Sequence, residues 1–125
     1  MNEIILSIKP EYANKIFDGT KKYEFRKRIA KKEISKIIVY SSSPVHLIVG
    51  EVKVIGVLSL KPSLLWKLTK NESGISKTKF IKYFKKCKIA YAYMLGEVKK
   101  YDIPKALIDF NIKQAPQSFI YVNKK

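Results

Sequence analysis

The sequence contains one cysteine and one histidine, and each shortage excludes a class of chemistry. Cys87 alone cannot form a disulfide within the chain, and a single free thiol fits a reducing, cytoplasmic setting. The scarcity of thiols and imidazoles gives no zinc-site pattern, and the acidic residues show no calcium-loop spacing, so we expect no metal. His46 would have to serve any Ser-His-Asp triad, but its place in SPVHLIV favours a packing or capping role.

Long apolar runs and phosphate-binding glycine loops are also missing. No stretch approaches the roughly 18 apolar residues of a membrane span, and the first residues, MNEIILSIKPEY, lack the basic leader of a signal peptide. Neither G-x-x-x-x-G-K-[ST] nor G-x-G-x-x-G occurs. We therefore expect no membrane association and no cofactor.

Positive charge is present in large excess. Lysine and arginine number 26 against 10 acidic residues, which gives a net charge of +16. A surplus of this size indicates a polyanionic partner, with nucleic acid ahead of an anionic membrane. A lysine-rich source composition is the alternative. The hydrophobic fraction of 46% and the length of 125 residues predict a single folded domain spanning residues 1–125.

The order of hydrophobic patterns predicts an α+β fold: a strand, a helix, several strands, helices, then strands. Pro10 suits the first turn of the first helix, and Gly19 suits its left-handed cap. Gly50 and Gly56 interrupt a long β-pattern and predict bulges that curl the sheet into a small closed or half-closed barrel. The predicted strands cover 4–8, 21–28, 36–40, 47–60, 88–101 and 118–122, and the predicted helices cover 9–18 and 62–86, the latter broken at NESG and capped again by Ser76. We expect a loop or a short helical turn over 102–116. Helical spacing assigns Tyr12 to the apolar face of the first helix and Tyr83 to the inward face of the last helix.

One basic stretch, GTKKYEFRKR over residues 19–28, carries a carboxylate at its centre. Alternation along a strand puts Glu24 and Arg26 on one face, where they can form a charge-assisted pair. An oriented carboxylate accepts from the N–H groups of a nucleobase, whereas phosphates cannot use it. Lys21, just before the strand, can reach a phosphate or a base carbonyl. A structural salt bridge is the alternative to such a site.

The spacing G-x-K-x-x-E-x-R in this stretch resembles the motif of the ASCH domain family, within the PUA-like superfamily. The segments ILSIKPEYANKIFDGTKKYEFRKR, IVYSSSPV, IVGEV, GISKTKFIKYF and APQSFIYV resemble that family in the same order. The resemblance implies a PUA-like β-barrel with flanking short helices and a cleft, lined by Lys21, Glu24 and Arg26, that holds RNA or a nucleobase. RNA is the expected partner, in RNA metabolism or in regulation of transcription or translation.

An enzymatic role is the alternative that the resemblance leaves open, as a metal-independent amidohydrolase acting on modified cytidine or as a ribonuclease. The catalytic candidates are Lys21, Glu24 and Glu51. The amidohydrolase branch carries threonine where this chain has Glu24, and Thr20 is on the wrong side of Lys21. We therefore favour a binding domain over an enzyme. Ribonuclease action without histidine would need lysine, arginine or a tyrosine such as Tyr23 or Tyr40 as acid and base.

Further candidates are residue types that suit nucleic acid, each with a structural alternative. Hydroxyls in a turn bind phosphate, glutamine both donates and accepts, aromatic rings stack on bases, and lysines neutralise the backbone. The predicted ligand contacts are Arg28, Ser41, Ser42, Ser43, Gln117 and Ser118; the possible stacking residues are Tyr40, Trp66, Tyr91 and Tyr93; and the predicted backbone patch is Lys22, Lys27, Lys79, Lys82 and Lys86, with the last three on one helix stripe.

Overall fold

The structure is a computed structural model that describes residues 2–122. Six strands form one sheet in the order β2-β5-β4-β3-β1-β6. β1 pairs with β3 in parallel, and the other neighbours pair antiparallel. The strands are β1 (Asn2–Ile8), β2 (Tyr23–Arg26), β3 (Ile34–Ser41), β4 (Leu47–Leu60), β5 (Ala90–Lys105) and β6 (Phe119–Tyr121). The α-helices are α1 (Pro10–Asp18), α2 (Pro62–Thr69) and α3 (Lys77–Tyr83), with short 3₁₀ turns at Lys70–Glu72 and Leu107–Phe110.

The long strands β4 and β5 curl the sheet into a half-barrel. Their pairing shifts register between Ile48 and Gly50 and again between Val54 and Gly56, which confirms the predicted bulges. A side chain at Gly50 would collide with the Phe17 ring and with the Lys99 carbonyl, both 2.6 Å from the added carbon. The edges β2 and β6 are not paired with each other, so the barrel is open.

The local signals at the helix ends are largely confirmed. Pro10 opens α1, and Gly19 caps it at φ 88°. Ser76 caps α3 by accepting from the Lys79 amide. The predicted helical stripe is wrong for Lys86, because α3 ends at Tyr83 and Lys86 has a left-handed φ of 69°.

Two further sequence predictions need correction. β5 continues to Lys105, so its last four residues replace the start of the predicted 102–116 loop. Tyr83, expected to point into the core, is 36% exposed, whereas Phe80 and Phe84 are buried.

Two hydrophobic clusters position the helices against the sheet. Ala13 and Ile16 anchor α1 on the cluster that includes Ile4, Leu6 and Tyr93. Phe80 and Phe84 of α3 pack on Phe25 of β2, with the Phe25 and Phe80 ring centroids 5.1 Å apart. α1 and α3 therefore lie on either side of β2. Within residues 2–122, no helix has both the length and the apolarity to cross a membrane.

Candidate functional site

A cavity of about 570 Å³ is lined by residues of α1, β2, α3 and the end of β1. Its charged lining is unequal in sign: one carboxylate, Glu24, lies among five cations, which are Lys9, Lys21, Arg26, Lys79 and Lys82. Tyr12, Phe25 and Tyr83 contribute aromatic surface. Cationic side chains, aromatic rings and a single carboxylate thus share one concave surface large enough for a small organic ligand.

Glu24 and Arg26 form the polar centre of β2. Arg26 Nε donates to Glu24 Oε2 at 3.0 Å, and Arg26 Nη2 lies 2.9 Å from the same oxygen. Nη2 also donates to the Ser7 carbonyl oxygen at 2.8 Å, which ties β2 to β1. Glu24 is only 6% exposed. The predicted pairing of Glu24 with Arg26 is confirmed. The guanidinium orients the carboxylate and holds β2 against the end of β1 at the open side of the half-barrel.

Lys21 is held at the cavity by contacts along its whole length. It is 3% exposed, and its Nζ donates to the Ser73 carbonyl oxygen at 2.7 Å. The ammonium also lies 4.8 Å from the centre of the Phe25 ring and 5.2 Å from that of Tyr12. Burial lowers the pKa of Lys21 to about 8, and the negative charge of Glu24 opposes this shift. The Lys21 ammonium therefore does not extend into solvent toward a phosphate.

Gly74 accommodates the Lys21 side chain. Its φ is +65°, and an added Cβ would lie 2.6 Å from both Cβ and Cγ of Lys21. Lys15 Nζ donates to the Gly74 carbonyl oxygen at 3.3 Å, and the Lys22 amide donates to the Glu72 carbonyl oxygen. The loop before α3 is thus held by the chain segment that leads into β2, and the Lys21 stem passes directly over its glycine.

α3 provides the opposite wall of the cavity. Lys79 and Lys82 line it, and Lys79 Nζ lies 3.9 Å from the Glu11 carboxylate of α1. Lys27 Nζ lies 4.9 Å from the centre of the Tyr83 ring, which extends the basic surface past the end of β2. Lys79, Lys82 and Lys27, expected only as a backbone patch, are thus part of the cavity or next to it.

Several candidates are not among the residues that line this cavity. Glu51 is paired with Ile38 in the sheet and shares its face, opposite to that of Val52 and the cluster around Tyr93. Its carboxylate accepts from Tyr101 and lies 3.2 Å from Lys36 Nζ. It therefore cannot act with Glu24 as a second carboxylate. The other predicted contacts outside the lining are Lys22, Arg28, Ser41, Ser42, Ser43, Lys86, Gln117 and Ser118.

The possible stacking residues are held by other contacts. Tyr93 is buried, and its hydroxyl accepts from the Ala30 amide. The Tyr40 hydroxyl is 3.2 Å from His46 Nδ1, which supports a packing role for that histidine. Trp66 packs on Phe80. Tyr91 does not line the cavity either.

Sequence reasoning missed Ser7, Tyr12 and Tyr83 as cavity residues. Tyr12 and Tyr83 were assigned to apolar helix faces, because a tyrosine at helical spacing resembles a core residue. The available signal was the hydroxyl: a tyrosine at the end of an apolar face places its polar tip at a boundary with solvent. Ser7 shows no local signal, since it follows the alternation of a buried strand.

The ASCH domain family model matches residues 6–103. The chain belongs to the ASCH domain family. An ASCH domain-containing ribonuclease of Zymomonas mobilis is 30% identical over 96 residues, which cover 76% of this chain and 65% of the relative. The crystal structure of ASCH from the same organism superposes with a TM-score of 0.90 at 28% identity, covering 98% of this chain and 88% of that one. The curled six-stranded sheet is thus the ASCH fold.

A further relative shows this domain sequence within a longer protein. The ATP synthase subunit alpha of Ureaplasma parvum is 33% identical over 120 residues, which are 95% of this chain. The ASCH chain spans only 15% of that relative's length. The similarity therefore concerns the domain and not the whole relative.

Proposed function

We propose that this ASCH domain, acting as a single PUA-like unit, binds RNA by holding one unpaired nucleotide in the cavity beside β2. The observation that carries the proposal is the buried Glu24 carboxylate, fixed by Arg26 at 2.9 Å within a cavity whose other charged lining residues are all cations. A surface evolved only for phosphate would gain nothing from a carboxylate at its centre. An unstacked base offers N–H groups that such an acceptor can bind.

The lining divides into a part that suits the base and a part that suits the backbone. Tyr12 and Tyr83 offer ring faces on which a base stacks, a contact worth about 1–3 kcal/mol per base. Lys79 and Lys82 offer ammonium groups for the phosphates. Backbone contacts supply affinity without sequence preference, whereas the fixed carboxylate supplies the preference.

A salt series with single-stranded RNA tests the proposal. If about six phosphates are neutralised, the logarithm of the binding constant should fall with the logarithm of salt concentration at a slope near −4. A fully paired RNA duplex of the same length is the control, and we expect it to bind more weakly because its bases are not available. Filter binding that detects no complex with single strands even at low salt would overturn the proposal.

RNA cleavage is the second candidate, favoured by the similarity to a relative named a ribonuclease. With a pKa of about 8, Lys21 is partly neutral at physiological pH and can accept a proton. In cleavage, Lys21 would take the proton of the 2′-hydroxyl while the 2′-oxygen bonds to phosphorus. The bond from phosphorus to the 5′-oxygen would break, the 5′-oxygen would take a proton from water, and a cyclic phosphate would remain. The test is incubation of end-labelled RNA with a metal chelator present. Cleavage that is lost in Lys21→Met and in a 2′-deoxy substrate would establish it.

The amidohydrolase alternative has less support. Thr20 donates its hydroxyl proton to Asp18 Oδ1 at 2.7 Å and is not among the cavity residues. Ser7 does line the cavity, but its hydroxyl donates to the Pro116 carbonyl oxygen at 2.8 Å. That proton is bound by Pro116 and not by Glu24 or Lys21, so neither group activates the oxygen as a nucleophile. We expect little turnover of acylated cytidine, measured by chromatography.

A further inference from the structure

Lys21 and Glu24 place a hydrogen-bond donor next to a carboxylate at the cavity. An ammonium group has three N–H donors, and the Ser73 carbonyl takes one of them from Lys21. Both of the Arg26 contacts described above fall on Oε2 of Glu24, so neither occupies Oε1. An ionised carboxylate has about four lone-pair directions. Lys21 can therefore donate to a ligand whose neighbouring N–H groups bind Glu24.

Both residues line the cavity, so a base that contacts both meets the ammonium donors of Lys21 and the two lone pairs of Glu24 Oε1. The complementary edge has one acceptor followed by two donors. Guanine has this edge, in O6, N1–H and the N2 amino group.

The other bases match the two residues less completely. Uracil offers a carbonyl and one N–H, but its second carbonyl would face the Glu24 carboxylate and be repelled. Cytosine and adenine each present one amino donor next to an unprotonated ring nitrogen. Neither has a second N–H in line for the carboxylate. A fixed carboxylate therefore favours guanine by one charge-assisted hydrogen bond.

We propose that the unpaired nucleotide held in this cavity is guanosine, recognised through its O6 by Lys21 and through N1–H and the N2 amino group by Glu24. This inference rests on the proposed nucleotide-binding function. Arg26 acts as a positioning residue, because it keeps the carboxylate directed without itself contacting the base. Tyr12 and Tyr83 offer stacking surface to any base and do not contribute to the preference.

Short uridine strands with one central guanosine, inosine, adenosine or cytidine test the inference on the full chain. Inosine keeps O6 and N1–H but lacks the N2 amino group, so it removes a single donor. We expect the guanosine strand to bind most tightly, with inosine about tenfold weaker, the effect of one hydrogen bond to a charged group. This comparison uses the unaltered protein and does not depend on a variant that folds.

Two matched variants then test whether Glu24 causes the preference for guanosine over inosine. Glu24→Gln should bring the ratio of guanosine to inosine affinities close to one. Glu97→Gln should leave the ratio unchanged, because Glu97 is exposed and paired with Lys53 on the surface. Equal binding of all strands by the unaltered protein would overturn the guanosine inference and leave the proposed RNA binding intact. If no strand binds at low salt, both are wrong.

Discussion

Arg26 donates to Glu24 with Nε and approaches the same oxygen with Nη2, at 3.0 Å and 2.9 Å. The same Nη2 donates to the Ser7 carbonyl oxygen across the open side of the half-barrel. One guanidinium thus orients the cavity's only described carboxylate and joins β2 to β1. A lysine at this position could not make these contacts in one plane.

Arg26→Met is expected to lower the free energy of unfolding by about 3 kcal/mol, because it leaves the buried Glu24 charge without its partner. Urea denaturation followed by circular dichroism measures the change. Lys53→Met is the matched control: it breaks the exposed pair with Glu97 and should cost less than about 1 kcal/mol. Equal costs for the two variants would mean that Arg26 does not compensate a buried charge.

Gly74→Ala should destabilise the protein more than Gly19→Ala does. Both glycines have positive φ, so both substitutions carry backbone strain of about 1–2 kcal/mol. The added carbon at Gly19 meets no atom within 4 Å, whereas at Gly74 it lies 2.6 Å from the Lys21 stem. The difference between the two unfolding free energies therefore reports the contact with Lys21. No difference would show that Lys21 moves aside without cost.

Lys21 should titrate near pH 8, well below the other lysines, because burial disfavours its charged form. NMR of protein carrying ¹³C-labelled lysine measures this pKa directly. The unfolded chain binds the proton more tightly, so stability should rise with pH between about 8 and 10.5, by about 3 kcal/mol in all.

Lys21→Met is the control for that pH dependence. It should remove the rise in stability that is due to Lys21, while the repulsion among the remaining lysines still falls as they lose their charge at high pH. A Lys21 resonance that titrates together with the other lysines would contradict the buried position of its ammonium group.

Lys79→Ala combined with Lys82→Ala should weaken binding to all single-stranded RNA sequences alike. Each lost phosphate contact should make the salt slope shallower by about 0.7. Glu24→Gln should have the opposite profile, changing which sequences are preferred while leaving the slope almost unchanged. Competition binding over a randomised RNA pool at several salt concentrations measures both. Tighter binding of Glu24→Gln to every sequence, with no change in preference, would mean that the carboxylate only repels phosphate.

Local chemistry made much of the fold predictable. Pro10 and Gly19 bound α1 because the fixed φ of proline suits a helix start and the positive φ at Gly19 suits glycine. Gly50 lies at a bulge where an added side chain would collide with its neighbours. The pairing of Glu24 with Arg26 followed from strand alternation alone. The extension of β5 through Pro104 could not be predicted in this way, because pairing with β4 overrides the local preference for a turn.

Contacts between distant segments defined the rest of the candidate site. The residues next to Lys21 in the sequence predict an exposed lysine in a basic run. In the structure, its ammonium donates to the carbonyl oxygen of Ser73, 52 residues away. The sequence suggests Glu51 as a second carboxylate of the site, but the pairing of β3 with β4 puts it on the face of the sheet opposite to Val52 and the cluster around Tyr93. Tyr12 and Tyr83 meet at one cavity only because separate hydrophobic clusters fix α1 and α3 beside β2.

The most direct measurement of the central claim is an NMR titration of ¹⁵N-labelled protein with a short single-stranded RNA containing guanosine. If the cavity holds a nucleotide, the largest shifts should fall on the amides of β2, on Ser73–Ile75 and on α3, with saturation at one strand per protein. Shifts confined to the opposite face of the sheet, around Glu51 and Tyr101, would contradict the account, as would shifts spread evenly over the surface lysines.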